Sequence, residues 1–330
     1  MEPLFAEICR RYGLGELECP PVPLTGGFMH KMYALSAARG RYALKLLNPH
    51  VMRRETAMAN YRTAERLETL LEEHRLPILP ALEFGGRKMQ ELDGRFFYLF
   101  DWYGGAALKG REVTPEHSRK IGRVLARIHA VDRKEAPFER ERLHIDWESL
   151  AGALRSENEE LYRLLQENRG ILELSERNGN RAAGRMPPLL AVCHRDMDCK
   201  NVLWRGGEFR IIDLECLGYW HPFLELYETA LCWAGYEECR LEPELLCAFV
   251  VSYAEAGGVL PSEWELLYDA DCGRLEWLEY NLRRALGVGC GADEREIGVG
   301  EVRATIAHAV YYHRMKSVIL DCLGTLPLNR

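Results

Sequence analysis

Residues 192–215 read VCHRDMDCKNVLWRGGEFRIIDLE, with carboxylates at Asp196 and Asp213, an amide at Asn201 and a glycine pair at Gly206-Gly207. VLW at 202–204 and FRIID at 209–213 are β-prone, and Arg205-Gly206-Gly207-Glu208 between them reads as a hairpin turn. Folding the chain about Gly207 sets Asn201 beside Asp213 at the open end of that hairpin. An amide oxygen next to a carboxylate is an oxygen-rich pair suited to a hard cation such as Mg²⁺. Asp196 lies on the loop just before Asn201 and projects toward the same mouth, where a carboxylate orients and deprotonates a hydroxyl nucleophile. The stretch predicts a base, a metal-binding amide and a metal-binding carboxylate, the set that phosphoryl transfer needs.

A chain of 330 residues exceeds one typical domain, and 47% hydrophobic residues suffice for a sizeable core, so two lobes sharing a cleft are the expectation. A formal net charge of −7 argues against nucleic-acid binding through bulk positive charge and favours cationic or metal-bridged ligands. The cysteines number 11, an odd count with no C-x-x-C pair, which is poor material for a disulfide framework or structural zinc. The start, MEPLFAEICRR, has no long apolar run, and no stretch approaches the roughly 20 apolar residues that span a bilayer. The expectation is a cytoplasmic protein with no membrane partner.

Before residue 104, short β-prone runs recur: MYALS at 32–36, RYALKLL at 41–47 and RFFYLFDWY at 95–103. Ala38-Arg39-Gly40 separates the first two as a hairpin turn would, and a helix from about His50 to His74 lies between the second and third. Beyond residue 104 helical periodicity dominates. In HSRKIGRVLARIHAVD, Ile121, Val124, Leu125 and Ile128 make one apolar face. A charged helical stretch from Ser156 to Asn180 breaks at Gly184 and Pro187-Pro188.

His194-Arg195-Asp196 with Asn201, followed by Ile212-Asp213-Leu214-Glu215, resembles the catalytic loop and metal motif of the protein-kinase-like superfamily. The IDLE form and the following Gly218, Pro222 and Glu225-Leu226 are similar to the aminoglycoside phosphotransferase and choline kinase branch. That resemblance implies an α+β, bilobal protein-kinase-like fold. A small antiparallel-sheet N-lobe with one long helix fills residues 1–100, a hinge 101–105, and a larger, mainly helical C-lobe 106–330. The C-lobe would hold the catalytic loop 192–215 and helical substrate-binding parts at 150–185 and 236–330.

The resemblance also implies roles for single residues. Lys45, in the second β-prone run, would grip the α- and β-phosphates, paired by Glu65 or, in competition, Glu55. Gly26-Gly27 in LTGGFMHKMY would cover the phosphates, with Thr25 or His30 approaching them. Asp101, Trp102 and Tyr103 would read adenine. Asp196 would be the catalytic base, Asn201 and Asp213 the metal ligands with Glu215 assisting, and His194 a brace for the loop. Asp198, Asp269, Asp271, Glu276 and Trp277 are the acceptor-binding candidates. Leu275, Leu278, Leu282 and Leu286 nevertheless make an ordinary core stripe beside those acids, which favours solvated acids over ligands.

The implied reaction moves the γ-phosphoryl of ATP or GTP, with Mg²⁺, to a hydroxyl of a small molecule: an aminoglycoside-like compound, an amino alcohol or a sugar. One alternative is a non-catalytic kinase-like nucleotide-binding or spore-coat-associated protein. A protein kinase is disfavoured because no long activation segment follows Glu215.

Overall fold

The computed structural model describes residues 2–24 and 30–326. In chain order the strands are β1 (Val22–Leu24), β2 (Lys31–Ala37), β3 (Gly40–Leu46), β4 (Gln90–Leu92), β5 (Arg95–Asp101), β6 (Ala106–Ala107), β7 (Arg133–Lys134), β8 (Leu190–Cys193), β9 (Val202–Arg205), β10 (Glu208–Ile211) and β11 (Gly218–Trp220). The helices are α1 (Glu2–Arg11), α2 (Pro49–Met52), α3 (Ala57–Glu73), α4 (Pro115–Val131), α5 (Trp147–Glu157), α6 (Glu159–Ala183), α7 (Pro222–Trp233), α8 (Pro243–Glu255), α9 (Trp264–Ala270), α10 (Gly273–Ala285) and α11 (Ala292–Gly324). The chain forms two compact units, Met1–Glu112 with Val192–Tyr219, and Val113–Ala191 with Trp220–Arg330.

In the first unit an antiparallel sheet runs in the order β1-β2-β3-β5-β4. Side chains alternate between its faces. Tyr33, Leu35, Leu44, Phe97 and Leu99 cluster with Leu4, Phe5 and Ile8 of α1. The intervening positions point the other way, and there Lys45 stands directly opposite Tyr98, which clusters with Leu47, Ala57 and Tyr61. The sequence period thus puts one lysine on the face that α3 covers. The helix expected over 50–74 is in fact two, α2 capped by Asn48 and α3 beginning at Ala57. The hairpin β4–β5 turns at Asp93-Gly94, both with positive φ, the Asp-Gly signature of a tight turn.

The second hairpin also belongs to the first unit. The contacts of 192–219 lie with the N-terminal sheet region, whereas the sequence reading had assigned that stretch to the lobe after the hinge. One edge of β10 explains the placement: Ile211 N–H donates to Pro77 O, and Leu79 N–H donates to Ile211 O. The passage leaving α3 is thereby stitched to the hairpin, and β6 pairs with β9 on the hairpin's other edge.

The observed register differs by one residue from folding about Gly207. Ile211 faces Val202 and Glu208 faces Arg205, so the turn is the two residues Gly206 and Gly207, with φ of +58° and +87°. Asn201 is therefore opposite Ile212, whose N–H donates to Asn201 O at 2.9 Å. A one-residue slip in a regular strand would turn Asp213 to the other face. Asp213 is not regular: its φ of 63° and ψ of 51° bend the chain out of the strand.

In the second unit the α4 face Ile121, Val124, Leu125 and Ile128 is buried as expected. Leu275, Leu278 and Leu282 of α10 join Leu154, Leu161, Leu165 and Val302 in one core. Helices α4 and α8 meet closely at Gly122, where an added Cβ would lie 2.3 Å from Phe249 O and 2.5 Å from Ser252 Oγ. Both obstacles are fixed by α8 itself, so the helices must part to admit a methyl. Gly122→Ala should cost about 1–3 kcal/mol. Gly152→Ala, in α5 with nothing within 4 Å of the added carbon, should be neutral or stabilise by about 0.5–1 kcal/mol. Urea denaturation of the two variants checks the pair, and equal stabilities would contradict the packing described.

Candidate active site

Lys45 is the centre of the site. Its ammonium is only 8% exposed by residue, and lies 2.5 Å from Asp213 Oδ1 and 2.5 Å from Glu215 Oε2. Burial works against the lysine's charge, but the two carboxylates overcome it and raise its pKa above the ordinary 10.5. Burial likewise opposes ionisation of Glu215, while the nearby His30 ring, 3.3 Å away, and the charge of Lys45 outweigh it and hold that carboxyl below its usual value. Lys45 and Glu215 each favour the charged form of the other. Removing one partner of such a buried pair typically costs 3–5 kcal/mol.

The loop from His194 to Asn201 is held by bonds of its own side chains. His194 donates from Nε2 to Ile212 O at 3.1 Å and accepts Asp196 N–H at Nδ1, 3.3 Å. His194 thus bridges the loop to the residue before Asp213. Asn201, nearly buried, donates from Nδ2 to Asp196 O at 2.8 Å and to Asp196 Oδ2 at 2.9 Å. Arg195, flanking Asp196, and Asp213 both have left-handed φ, at 68° and 63°. Such conformations cost a non-glycine residue on the order of 1–3 kcal/mol and collect at functional sites. Burial raises the pKa of Asp196, the charge of Lys200 opposes that rise, and Asp198 and Asp213 add to it.

Asp198 is a capping residue: its Oδ1 accepts Lys200 N–H at 2.6 Å, and Lys200 Nζ sits 2.8 Å from its Oδ2 and 3.6 Å from Asp196 Oδ1. Lys200, not singled out from the sequence, is therefore the cation beside the candidate base.

Glu65 does not meet Lys45. Its Oε1 accepts Met89 N–H at 2.8 Å and Tyr98 O–H at 3.0 Å, so it supports the residue opposite Lys45 while Asp213 and Glu215 take the ammonium. Glu55 is exposed in the turn between α2 and α3. Gly26, Gly27 and Thr25 lie outside the described residues. At 101–105, Trp102 N–H donates to Arg41 O at 3.1 Å, and the Arg41 guanidinium stacks on the Trp102 ring at 4.2 Å. Arg205 lies over the Tyr103 ring at 4.9 Å. Asp101 ends the strand opposite Tyr42. The Trp102 N–H, at least, is spent on protein rather than offered to a base.

In the second unit, Asp269 is 3.4 Å from Asn178 Nδ2 and 3.9 Å from Lys316, Glu276 is exposed beside Arg140, and Trp277 donates to Glu301 and packs on Tyr280. Burial raises the pKa of Asp271 against the charges of Arg274 and Arg140. The sequence missed Glu228, the exposed carboxylate of α7. Burial, with the charge of Asp271 next in effect, pushes it up to about 8. An amphipathic-helix reading gives no signal for it, since it lies on the exposed side of an otherwise buried helix.

The donors around Lys45 fit a hard divalent cation. Because the Asn201 NH₂ group faces Asp196, its amide oxygen turns the other way. That oxygen and the carboxylates of Asp213 and Glu215 are donors of the kind a hard divalent cation takes.

A family model described as the phosphotransferase enzyme family matches residues 22–267. The chain belongs to this family. A comparison with curated proteins finds none that matches in sequence. Among solved structures, the phosphotransferase shares its fold with a spectinomycin phosphotransferase, APH(9)-Ia, crystallised with ADP and spectinomycin. The TM-score is 0.71 at 13% identity, covering 95% of this chain and 99% of the other. The amicoumacin kinase hAmiN, in complex with AMP-PNP, Ca²⁺ and amicoumacin, gives a TM-score of 0.62 at 12% identity, over 94% and 96% of the two chains. A choline kinase from Cryptosporidium parvum Iowa II gives 0.56 at 16% identity, over 99% and 98%. These likenesses show an α+β kinase-like fold with an antiparallel N-terminal sheet and a helical C-terminal part. Among the described residues no helix is long and apolar enough to cross a membrane.

Because Glu65 holds Tyr98 and Met89 rather than Lys45, Glu65→Gln keeps an oxygen for both donors. It should cost under about 1 kcal/mol and leave nucleotide KM within about twofold. Denaturation and steady-state kinetics check this. A rise in KM of about tenfold, some 1.4 kcal/mol, would mean that Glu65 reaches the lysine during turnover.

Proposed function

We propose that this phosphotransferase transfers the γ-phosphoryl of a nucleoside triphosphate, ATP or GTP, to an alcohol group of a small molecule with the help of Mg²⁺. The observation that carries the reading is the buried Lys45 held by Asp213 and Glu215 in the same compact unit as the hydrogen-bonded pair Asp196 and Asn201. A cation, oxygen donors and a carboxylate of raised pKa are the parts of a site that positions phosphate and activates a hydroxyl. Structures of the same fold that hold ADP or AMP-PNP, with spectinomycin or amicoumacin, support a nucleotide and a small-molecule acceptor.

Lys45 grips the α- and β-phosphates, exchanging part of its contact with Asp213 and Glu215 for phosphate oxygens. Asn201, Asp213 and Glu215 would hold Mg²⁺, which supplies charge neutralisation to the bridging phosphate oxygens. Asp196 accepts the proton of the acceptor hydroxyl at Oδ1, since Oδ2 is occupied by the Asn201 NH₂ group. His194 keeps the Asp196 backbone in register with Asp213 through Ile212. In a loose transition state, positioning and charge neutralisation carry the rate, and this network supplies both. Only residues 216–221 separate Glu215 from α7, which supports a small molecule over a protein acceptor.

Asp196→Asn should lower kcat by at least about 10²-fold while leaving ADP binding and thermal stability close to those of the parent. A coupled ADP-release assay over aminoglycosides, amino alcohols and sugars, with calorimetry for ADP, reads both. Turnover unchanged in the variant would remove Asp196 from the chemistry.

The base works ionised, so the rate falls as pH drops through the Asp196 pKa. That acid limb should lie above the ordinary carboxylate value of 3.8. Lys200→Met withdraws the charge that favours the ionised form, and should move the limb further up. A pH–kcat/KM profile in which the limb stays put or moves down contradicts the assignment.

A further inference from the structure

We propose that His30 is a positioning residue for Glu215 and through it for the cation-holding centre, an inference that rests on the phosphotransferase reading of Lys45, Asp213 and Glu215 given above. The sequence left a phosphate contact open to this histidine, but both ring nitrogens face protein. Asn48 N–H donates to His30 Nδ1 at 2.9 Å. A nitrogen that accepts carries no proton, so the ring N–H is at Nε2. Nε2 lies 3.3 Å from Glu215 Oε2 and 3.1 Å from Tyr61 Oη.

The ring is pinned from two directions. Asn48 is itself fixed as the cap of α2, its Oδ1 accepting His50 N–H at 2.9 Å, and Tyr61 is a buried residue of α3. His30 is 6% exposed. A glutamate on a short turn has several rotamers, and selecting one costs up to about 2 kcal/mol in entropy. Here the buried Glu215 Oε2 has Lys45 Nζ at 2.5 Å and His30 Nε2 at 3.3 Å, while the ring N–H is shared with the Tyr61 hydroxyl at 3.1 Å. Partners that orient a ligating carboxylate in this way typically alter metal affinity 10–100-fold when removed.

Two substitutions separate the ring's two bonds. His30→Asn keeps an acceptor near Nδ1 for Asn48 N–H but loses the donor to Glu215. His30→Gln carries an amide N–H out to about the place of Nε2. The readout is Mn²⁺ binding to the full-length protein–ADP complex, from the electron paramagnetic resonance of free Mn²⁺, with ADP affinity in metal-free buffer and melting temperature beside it. His30→Asn should weaken Mn²⁺ about tenfold or more, His30→Gln should hold it within about threefold, and metal-free ADP affinity should stay within about twofold in both. In a Glu215→Gln background, His30→Asn should add nothing further. Mn²⁺ binding unchanged in His30→Asn, or additive losses in the double variant, would overturn the role. Parent protein that binds no Mn²⁺ with ADP would instead overturn the reading of the whole site, and this role with it.

Discussion

One ammonium group set between two carboxylates organises the first unit of this phosphotransferase. Lys45 leaves the end of β3 on the face opposite α1, and an uncompensated charge there would cost several kcal/mol in desolvation. Asp213 and Glu215 compensate it at 2.5 Å each, across 168 residues of sequence for the first contact. The hairpin therefore has to end where β3 presents its lysine. The stitch of Ile211 to Pro77 and Leu79 does this by fastening β10 to the passage that leaves α3.

The same constraint accounts for the unusual backbone nearby. Asp213 takes a left-handed conformation because a regular continuation of β10 would aim its carboxylate away from Lys45. Arg195 adopts a similar one beside His194, whose ring joins Asp196 N–H to Ile212 O and so locks loop to hairpin. The strain is held in place by that bridge and by the paired hydrogen bonds of Asn201 on Asp196. Asp196, Asn201 and Asp213 then share one frame, and under the proposed function such a frame suits a reaction in which geometry carries most of the rate.

Much of this frame was legible in the chain. The period-two pattern of RYALKLL isolates Lys45 between core residues, and the glycine pair after VLW announces a hairpin that must bring residues near 201 and 213 together. The hidden part was the register. Counting about Gly207 missed it by one, because a two-residue turn centres between the glycines and the bend at Asp213 restores what the slip would lose. The partner of Lys45 was also hidden: Glu65 looks right by order along the chain, yet only the fold shows that Tyr98 and Met89 take its carboxylate. Glu228, and the protein neighbours of His30, were hidden for a simpler reason. The roles of Glu228 and His30 rest on neighbours distant in sequence, Asp271 for one and Glu215 for the other, and neither position carries a periodic signal of its own.

The most direct measurement is a ³¹P NMR spectrum of the protein incubated with ATP, Mg²⁺ and a mixture of amino alcohols and aminocyclitols. The account predicts a new phosphomonoester resonance that grows in step with ADP and is absent with Asp196→Asn. ATP bound but unconsumed, or ADP and inorganic phosphate formed equally by parent and variant, would contradict it.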